Sequence, residues 1–323
     1  MILILTINPL LELRYTLGKF NFNENNRNAA SENVVGGKGI NVSRQLKHLG
    51  VRSLNYTFVG QSFGRKVKEL LDAEGLEYLG VKTQQDNRTA SIIIEENTRQ
   101  VSTVFSGNQL ISPKEVEQFT ERLDRMIGNC EILVCSGSSP CKETDGIFPY
   151  ALSLADKYDK ISILDSYGAH MEESIANKPT IIHNNISESE LLSGSRLSGE
   201  NEVIKYLESL YHKGVKQVFL TNGDKPIYAS AFDFVYKVTP PNISQYDPTG
   251  SGDAFTAGIA YSHYNDLTFE QMLKLSTALG VSNAETSAVC KVELNTATNL
   301  SGNIFIEPLG KKMKLIDVTP TIY

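Results

Sequence analysis

Short runs of apolar residues recur along the chain, and the segments between them carry apolar positions at helical spacing. The runs that predict buried strands are residues 1–7, 54–60, 132–135, 161–165, 180–183 and 217–221. The predicted helices are 39–49, 63–73, one that ends near 127, 150–157 and 200–211. Apolar strands that alternate with helices are typical of a mainly parallel sheet covered on both faces. The pattern therefore predicts an α/β fold.

Two β-rich runs interrupt this alternation. Residues 89–95 and 101–105 are joined by a polar segment and predict a hairpin, and the alternating segment 11–15 predicts a half-exposed strand. An Asn-rich loop at 21–28, which contains Arg27, follows that strand. Because no linker, low-complexity tract or clear repeat divides the sequence, we expect a single domain over residues 1–323.

The segment Asp247–Phe255 combines a turn with the start of a helix. Gly250 and Gly252 allow backbone N–H groups to point at a ligand above the helix start, which is a natural site for phosphate. A carboxylate is a poor phosphate ligand, so we interpret Asp253 as a base that takes a proton from an attacking hydroxyl. An anion site beside a base indicates phosphoryl transfer. The alternative is an ordinary helix start with Asp253 and Ser251 in capping roles.

Polar residues follow several of the predicted strands. Asn8, Ser139, Asn185 and the turn 221–223 each lie just beyond an apolar run. Ligands of parallel sheets bind at the carboxyl ends of the strands, where these turns would meet. Their convergence therefore supports a binding site at that edge of the sheet.

Composition narrows the classes of function. The net charge of −6 argues against a nucleic-acid-binding protein, which would show a basic face. The four cysteines lack the paired spacing of a zinc site, and we expect them to pack as small apolar side chains. The apolar run at the N-terminus is too short to span a membrane and has no basic leader. We therefore expect a soluble, cytoplasmic protein.

Two glycine-rich motifs, GGKGINV at 36–42 and GSGDAF at 250–255, resemble those of the PfkB (ribokinase-like) carbohydrate kinases when taken in this order. The sequence is most similar to the phosphosugar branch, that of 1-phosphofructokinase and tagatose-6-phosphate kinase, up to about residue 288. The resemblance implies a ribokinase-like three-layer sandwich with a small β-sheet lid, formed by about 10–30 and 87–107. It also implies ATP- and Mg²⁺-dependent phosphorylation of a phosphorylated ketohexose of the fructose 1-phosphate or tagatose 6-phosphate type.

The resemblance assigns roles to individual residues. Asp253 would be the catalytic base, beside an anion site formed by Gly250, Ser251 and Gly252. The implied sugar-phosphate residues are Glu12, Arg27, Gly37, Lys38, Asn41, Arg88 and Ser139, with Arg27, Arg88, Ser139 and the charge of Lys38 at the phosphate. The implied nucleotide-side residues are Asn185, Glu188, Thr221 and Gly223, and Glu188 would hold Mg²⁺ through water. A helix N-cap is a competing explanation for Asn185 and Glu188. Small lids of this family often pair, so we expect a homodimer through the lid.

The sequence also departs from the family pattern at several positions. They are Glu12 in place of Asp, Ser251 in place of Ala, Ala90 in place of a frequent Asn, His183-Asn184 in place of Lys-Pro, Pro226 in place of Gly, and Thr286 in place of Asn. Most of these changes affect substrate recognition more than the transfer chemistry. Two alternatives therefore stay open: a kinase of an unphosphorylated sugar or nucleoside, and a catalytically weak sugar-phosphate-binding protein.

Overall fold

In a computed structural model of the protein, which describes residues 1–309, the chain forms two sheets and two layers of helices. The strands are β1 Ile2–Thr6, β2 Leu10–Leu17, β3 Ala30–Gly36, β4 Ser53–Val59, β5 Glu77–Lys82, β6 Arg88–Glu95, β7 Gln100–Phe105, β8 Ile132–Ser136, β9 Ile161–Asp165, β10 Ile181–Asn185, β11 Gln217–Thr221, β12 Ile227–Ala231, β13 Phe234–Thr239 and β14 Phe305–Leu309. The helices are α1 Lys38–His48, α2 Ser62–Ala73, α3 Pro113–Thr120, α4 Leu123–Gly128, α5 Ile147–Lys157, α6 Met171–Ala176, α7 Ile186–Ser193, α8 Glu200–His212, α9 Ser251–Tyr264, α10 Phe269–Ala284 and α11 Leu294–Ser301. The end of the predicted single domain, 310–323, lies outside the described residues.

The large sheet has ten strands in the order β14-β13-β12-β11-β10-β9-β8-β1-β4-β5. The seven strands from β11 to β5 pair in parallel, as predicted, whereas β12, β13 and β14 add an antiparallel edge. The sequence analysis did not identify those three edge strands or β5. Strands β5, β13 and β14 are mostly half-exposed or exposed, and β12 contains the small residues Ala229, Ser230 and Ala231, so none of the four has the continuous apolar run that marks a central strand.

The core lies on both faces of this sheet. Alternate residues of β1 point in opposite directions, so that Ile2 and Ile4 pack on one side and Leu3 and Leu5 on the other. Helices α1, α9, α10 and α11 cover the first side, and α3, α4, α5, α6 and α8 cover the second. The result is the three-layer sandwich that the sequence predicted, with α1 and α9 adjacent.

The small sheet has the order β3-β2-β6-β7. Strand β2 pairs in parallel with β6. The outer strands β3 and β7 pair antiparallel with β2 and β6, respectively. The prediction found β2 and the β6–β7 hairpin. It assigned no element to the residues between the Asn-rich loop 21–28 and the first glycine-rich motif, where β3 lies. The alternation suggested that the polar positions of β2 face solvent, but Glu12 and Arg14 are each only 6% exposed.

Candidate active site

The start of α9 is shaped by Gly250, which has a φ of 81°. A Cβ at this position would overlap Val289 and crowd the sulfur of Cys290, so the turn requires glycine for both backbone angle and space. No side chain caps this helix, and the carboxylate of Asp247 binds the N–H of Thr249 within the preceding turn. The capping alternative for Ser251 and Asp253 is therefore not observed among the described residues. Ser251 N donates to the carbonyl oxygen of Pro248 at 3.1 Å, whereas the N–H groups of Gly252 and Asp253 have no partner among the described residues and are available to an anion.

Asn283 of α10 holds this turn in place. Its side-chain amide donates to the carbonyl oxygen of Thr249 at 2.8 Å and to Ser251 Oγ at 3.2 Å, and its oxygen accepts from Cys290 N at 2.7 Å. The sequence analysis missed Asn283, because a residue that acts through a tertiary contact carries no local signal. Cys290 accordingly packs as a buried side chain beside the turn, as expected for the cysteines.

Asp253 lies in the first turn of α9 and is 6% exposed. Asn41 Nδ2 of α1 donates to Asp253 Oδ2 at 2.7 Å, and Arg44 holds the oxygen of Asn41 at 2.6 Å. Burial raises the pKa of Asp253 to about 6; the charge of Asp165 adds to this effect, and Lys38 and Asn41 oppose it. A buried carboxylate with a pKa near neutrality is suited to accept a proton.

Lys38, which is partly buried, and the fully buried Asp165 and His183 form a polar cluster next to Asp253. Lys38 Nζ lies 2.9 Å from Asp165 Oδ1 and 3.6 Å from Glu188 Oε1, and His183 Nδ1 lies 3.5 Å from Asp165 Oδ1. Burial disfavours the charges of both Asp165 and Lys38, but their attraction prevails, which lowers the pKa of Asp165 and raises that of Lys38. Both groups therefore stay charged. The sequence analysis missed Asp165, although its place at the carboxyl end of a predicted strand was a usable signal.

A cavity of about 340 Å³, which we call the helix-start cavity, opens above the N-terminus of α9. Its lining includes seven of the predicted residues: Lys38, Asn185, Glu188, Thr221, Gly223, Ser251 and Gly252. Apolar side chains form its far wall, among them Pro240, Ile243, Phe255, Val281 and Ala284. An apolar wall facing a helix N-terminus offers one region for a flat ring and another for phosphates. The structure thus brings the predicted nucleotide-side residues together.

Asn185 and Glu188 form a capping box at the start of α7. Glu188 N donates to Asn185 Oδ1 at 2.8 Å, and Asn185 N donates to Glu188 Oε2 at 2.9 Å. The competing N-cap interpretation is therefore observed. It does not remove Glu188 from the site, because Glu188 Oε1 faces Lys38 in the lining of the helix-start cavity. Oxygen donors at the edge of a phosphate site fit Mg²⁺, which keeps several waters and binds few carboxylates directly. Within residues 1–309, no group of three or more His, Cys, Asp or Glu side chains forms a metal cluster.

A second cavity of about 360 Å³, the Arg88 cavity, lies beyond the carboxyl end of β8. Among the described residues, Arg88 makes only long hydrogen-bond contacts there, 3.3 Å to the Asn8 carbonyl oxygen and 3.5 Å to Asn108, and its buried Nε has no hydrogen-bond partner. Its guanidinium also lies 5.8 Å from the ring centroid of Phe105. Because buried guanidinium donors are normally satisfied, this arrangement indicates a place for an anion. The ring of Tyr167, whose face lies 5.8 Å from Lys38 Nζ, lines the same cavity.

The other predicted sugar-phosphate residues are not all brought to the Arg88 cavity. Ser139 lines it, but its hydroxyl binds Cys141 O at 2.9 Å and Thr144 Oγ1 at 2.6 Å. Its neighbour Ser138, which the sequence analysis did not select, accepts from Asn8 Nδ2 at 3.1 Å. Lys38 lines the helix-start cavity instead, and Arg27 is exposed and lines neither cavity.

Gly37 and Glu12 complete the site between the small sheet and α1. Gly37 has a φ of 116° and begins α1, and a Cβ there would press on Pro9 and Thr6. Glu12 reaches across from β2 so that its Oε1 lies against Gly36. The interpretation of Glu12 as a solvent-facing residue is therefore excluded.

Comparison with known proteins identifies the family. The model for pfkB family carbohydrate kinases matches residues 6–294. The chain belongs to the pfkB family of carbohydrate kinases. Tagatose-6-phosphate kinase of Staphylococcus epidermidis is 30% identical over 287 residues, which cover 88% of this chain and 92% of that protein.

Two solved structures show the same fold as this pfkB kinase. Phosphofructokinase-2 from Escherichia coli in complex with potassium superposes with a TM-score of 0.86 at 20% identity, covering 94% of this chain and 98% of that one. A possible 1-phosphofructokinase from Thermotoga maritima also gives 0.86 at 20% identity, covering 96% and 99%. The predicted family and the ribokinase-like fold are both confirmed. Within residues 1–309, no helix has the length and apolar character needed to cross a membrane.

Proposed function

We propose that this pfkB kinase transfers the γ-phosphoryl group of ATP to a hydroxyl of a phosphorylated ketohexose, of the tagatose 6-phosphate or fructose 1-phosphate type. The observation that carries the proposal is the placement of Asp253. Asp253 lies at an uncapped helix start, next to Ser251 and Gly252 in the lining of the helix-start cavity. The Arg88 cavity is close by, because Lys38 of the helix-start cavity contacts the ring of Tyr167, which lines the Arg88 cavity. The 30% identity to a tagatose-6-phosphate kinase supports the choice of substrate class.

Asp253 acts in this proposal as the general base. With its pKa raised to about 6 by burial, it is ionised at neutral pH and still basic enough to take the proton of an attacking hydroxyl. Asn41 orients the carboxylate through its 2.7 Å hydrogen bond. The free N–H groups at the start of α9 and the charge of Lys38 stabilise the negative charge that spreads over the transferring group.

The nucleotide occupies the helix-start cavity, with its base against the apolar wall and its phosphates towards Gly250, Ser251 and Gly252. Glu188 would hold Mg²⁺ through water from Oε1, and the ion neutralises phosphate charge when it is bound. Asn185 acts indirectly, since its capping box with Glu188 fixes the direction of that carboxylate. Thr221 Oγ1 lies 3.4 Å from His183 Nε2 and lines the same cavity.

The phosphate already present on the sugar occupies the Arg88 cavity. Among the described residues, Arg88 Nε has no hydrogen-bond partner, and the other guanidinium nitrogens make two long, weak hydrogen bonds. A phosphate in this cavity would give these donors strong acceptors. This favours a phosphosugar over the first alternative, an unphosphorylated sugar or nucleoside. The second alternative, a weakly catalytic binding protein, is disfavoured by the ordered contacts to Asp253.

The small sheet acts as the lid of the proposed site and as the contact between two copies of the chain. Leu11 and Ile92, which lie on the paired strands of this sheet, are covered within the chain by α2 and by Leu10 and do not face a partner. The exposed apolar residues are instead on the edge strand β7, where Val104 is 63% exposed and Phe105 58%. An unpaired edge strand with exposed apolar side chains favours pairing, so the proposed homodimer uses β7.

The direct test is ADP release with magnesium-ATP across a panel of tagatose 6-phosphate, fructose 1-phosphate, fructose 6-phosphate and the matching free sugars. We expect at least one phosphosugar to be phosphorylated with a higher kcat/KM than its free sugar. Transfer to free sugars or nucleosides alone would support the first alternative, and binding without turnover would support the second.

A charge-removing variant tests the Arg88 cavity. Arg88→Met should weaken phosphosugar binding by about 2 kcal/mol, or some thirtyfold in KM, because charge-assisted contacts to phosphate are lost. The KM for ATP should change little. Arg125→Met, an exposed arginine on α4, is the matched control and should behave as the wild type. An unchanged phosphosugar KM in Arg88→Met would remove this cavity from the phosphate site.

A further inference from the structure

Glu12 and Arg14 form a buried ion pair on one face of β2. Arg14 Nε donates to Glu12 Oε2 at 2.9 Å, and its terminal nitrogen NH2 lies 2.7 Å from the same oxygen. Both side chains are only 6% exposed. Two nitrogens of one planar guanidinium thus hold a single carboxylate oxygen, which fixes the orientation of the glutamate.

The second oxygen of Glu12 is left for another partner. Among the described residues, Glu12 Oε1 receives no hydrogen bond, and it lies directly over Gly36, where a Cβ would overlap it. Gly36 opens the glycine-rich turn that leads to Asn41 and so to Asp253. The free oxygen therefore faces the part of the site between the small sheet and α1.

The register of the small sheet places this pair on the substrate side. Leu10 lies opposite Arg88 and Glu12 lies opposite Ala90, so Glu12, Arg14 and Arg88 project from the same face. Leu11 and Leu13 project from the other face and pack towards α2. Ala90 is small and fully buried, which leaves room for the longer side chain of Glu12.

We propose that Arg14 is a positioning residue for substrate recognition: it draws Glu12 Oε2 aside and thereby aims Glu12 Oε1 at a hydroxyl of the sugar phosphate. This inference rests on the proposed function, because it assumes a sugar bound beneath the small sheet. Glutamate is longer than aspartate by about 1.5 Å, the length of one carbon–carbon bond. Arg14 offsets that extra reach by anchoring the far oxygen.

The pair acts as a unit in this account, and the test is a double-mutant cycle in the full-length protein. The variants are Arg14→Met, which keeps the apolar stem, Glu12→Gln, and the two combined. Arg14→Met should raise the KM for tagatose 6-phosphate or fructose 1-phosphate, whichever the wild type uses better, by about tenfold or more, since misplacing a positioning group by 1 Å is costly. The KM for ATP should stay within about twofold. In the Glu12→Gln background the same change should cost less than about threefold, because its effect passes through Glu12.

A conservative variant keeps the test decisive if the unpaired Glu12 carboxylate prevents Arg14→Met from folding. Arg14→Lys retains the charge but cannot place two fixed nitrogens on one oxygen, so it should fold and still raise the sugar KM. Arg52→Met, in an exposed ion pair with Glu77, is the matched control and should change neither KM.

The inference is overturned if Arg14→Met and Arg14→Lys fold and keep the wild-type sugar KM. It is also overturned if Arg14→Met costs as much in the Glu12→Gln background, because Arg14 would then act without Glu12. A wild-type protein that phosphorylates none of the sugars would instead contradict the proposed function itself. The two failures are therefore distinguishable.

Discussion

Two buried carboxylates, Asp165 and Asp253, lie in one cluster with Lys38, and their pKa values are displaced in opposite directions. Burial acts against the charge of both. Asp165 is compensated by an ion pair with Lys38 at 2.9 Å and by His183, so its pKa is lowered, whereas Asp253 has weaker compensation and its pKa is raised. Groups whose environments separate their pKa values in this way can divide the acid–base and electrostatic roles of a site.

The raised pKa of Asp253 predicts the acid side of the pH–rate profile. A base must be deprotonated to act, so kcat/KM, which reports the pKa values of the free protein, should fall by about tenfold per pH unit as the pH drops below about 6. Asp253→Asn should reduce turnover by about a hundredfold or more and abolish this acid limb. Steady-state kinetics between pH 5 and 8 would measure both.

This prediction needs a control for the substrate, because the phosphate group of the sugar also titrates near pH 6. The substrate titrates in the same way with both proteins, so any acid limb that persists in Asp253→Asn belongs to the substrate. An identical profile for the two proteins would contradict the role of Asp253 as the base.

At the scale of elements, the site depends on how α9 begins. A helix usually starts with a capping side chain, but α9 starts at a glycine with positive φ, and its turn is held instead by Asn283 from α10. Helix α7, in contrast, starts with a capping box. The two residues that form it, Asn185 and Glu188, also line the helix-start cavity. In α7 the local structural role and the proposed ligand role therefore coincide.

Gly250→Ala tests the shape of the α9 start. The substitution forces a side chain into a left-handed conformation and against Val289, which should lower the free energy of unfolding by about 2 kcal/mol or more. It should also reduce kcat, because the anion site is displaced. Gly50→Ala is the matched control: Gly50 has a similar φ of 75° with nothing within 4 Å of a Cβ, so only the smaller conformational cost should appear. Urea unfolding and kinetics would separate the two, and equal effects would argue against a special role of this turn.

At the scale of the whole molecule, the large sheet supports the site, and the small sheet is its lid in the proposed function. The side chains of the site come from β2, α1, β6, β9, β10, α7, β11 and α9, which are spread along the sequence and meet near the carboxyl ends of the parallel strands. The small sheet also carries exposed apolar residues on its edge strand β7, Val104 and Phe105.

Assembly through β7 is testable with one charge. Val104→Glu places a carboxylate on the exposed edge strand and should convert a dimer to a monomer at micromolar concentration, as measured by light scattering. Leu191→Glu, at a residue that is 86% exposed on α7, is the matched control and should leave the dimer intact. A wild-type protein that is monomeric under these conditions would contradict the proposed dimer.

The sequence alone was sufficient for the parallel core of the sheet, for the hairpin of the small sheet and for the two glycine-rich turns. These features are local: continuous apolar runs mark strands buried on both faces, and glycine marks turns that need positive φ, as at Gly37 and Gly250. The position of Asp253 at a helix start followed from the same local pattern.

Only the tertiary structure decided which side chains meet. The Arg14–Glu12 pair, the Lys38–Asp165 pair and the contact of Asn283 with the α9 turn join residues by packing of separate elements, for which a single sequence has no local signal. The same holds for burial, because the alternation of β2 predicts an apolar and a polar face but not that Glu12 and Arg14 on the polar face are buried. What each charge does in this protein therefore depends on its neighbours in the fold, since partner and solvent together set its energy.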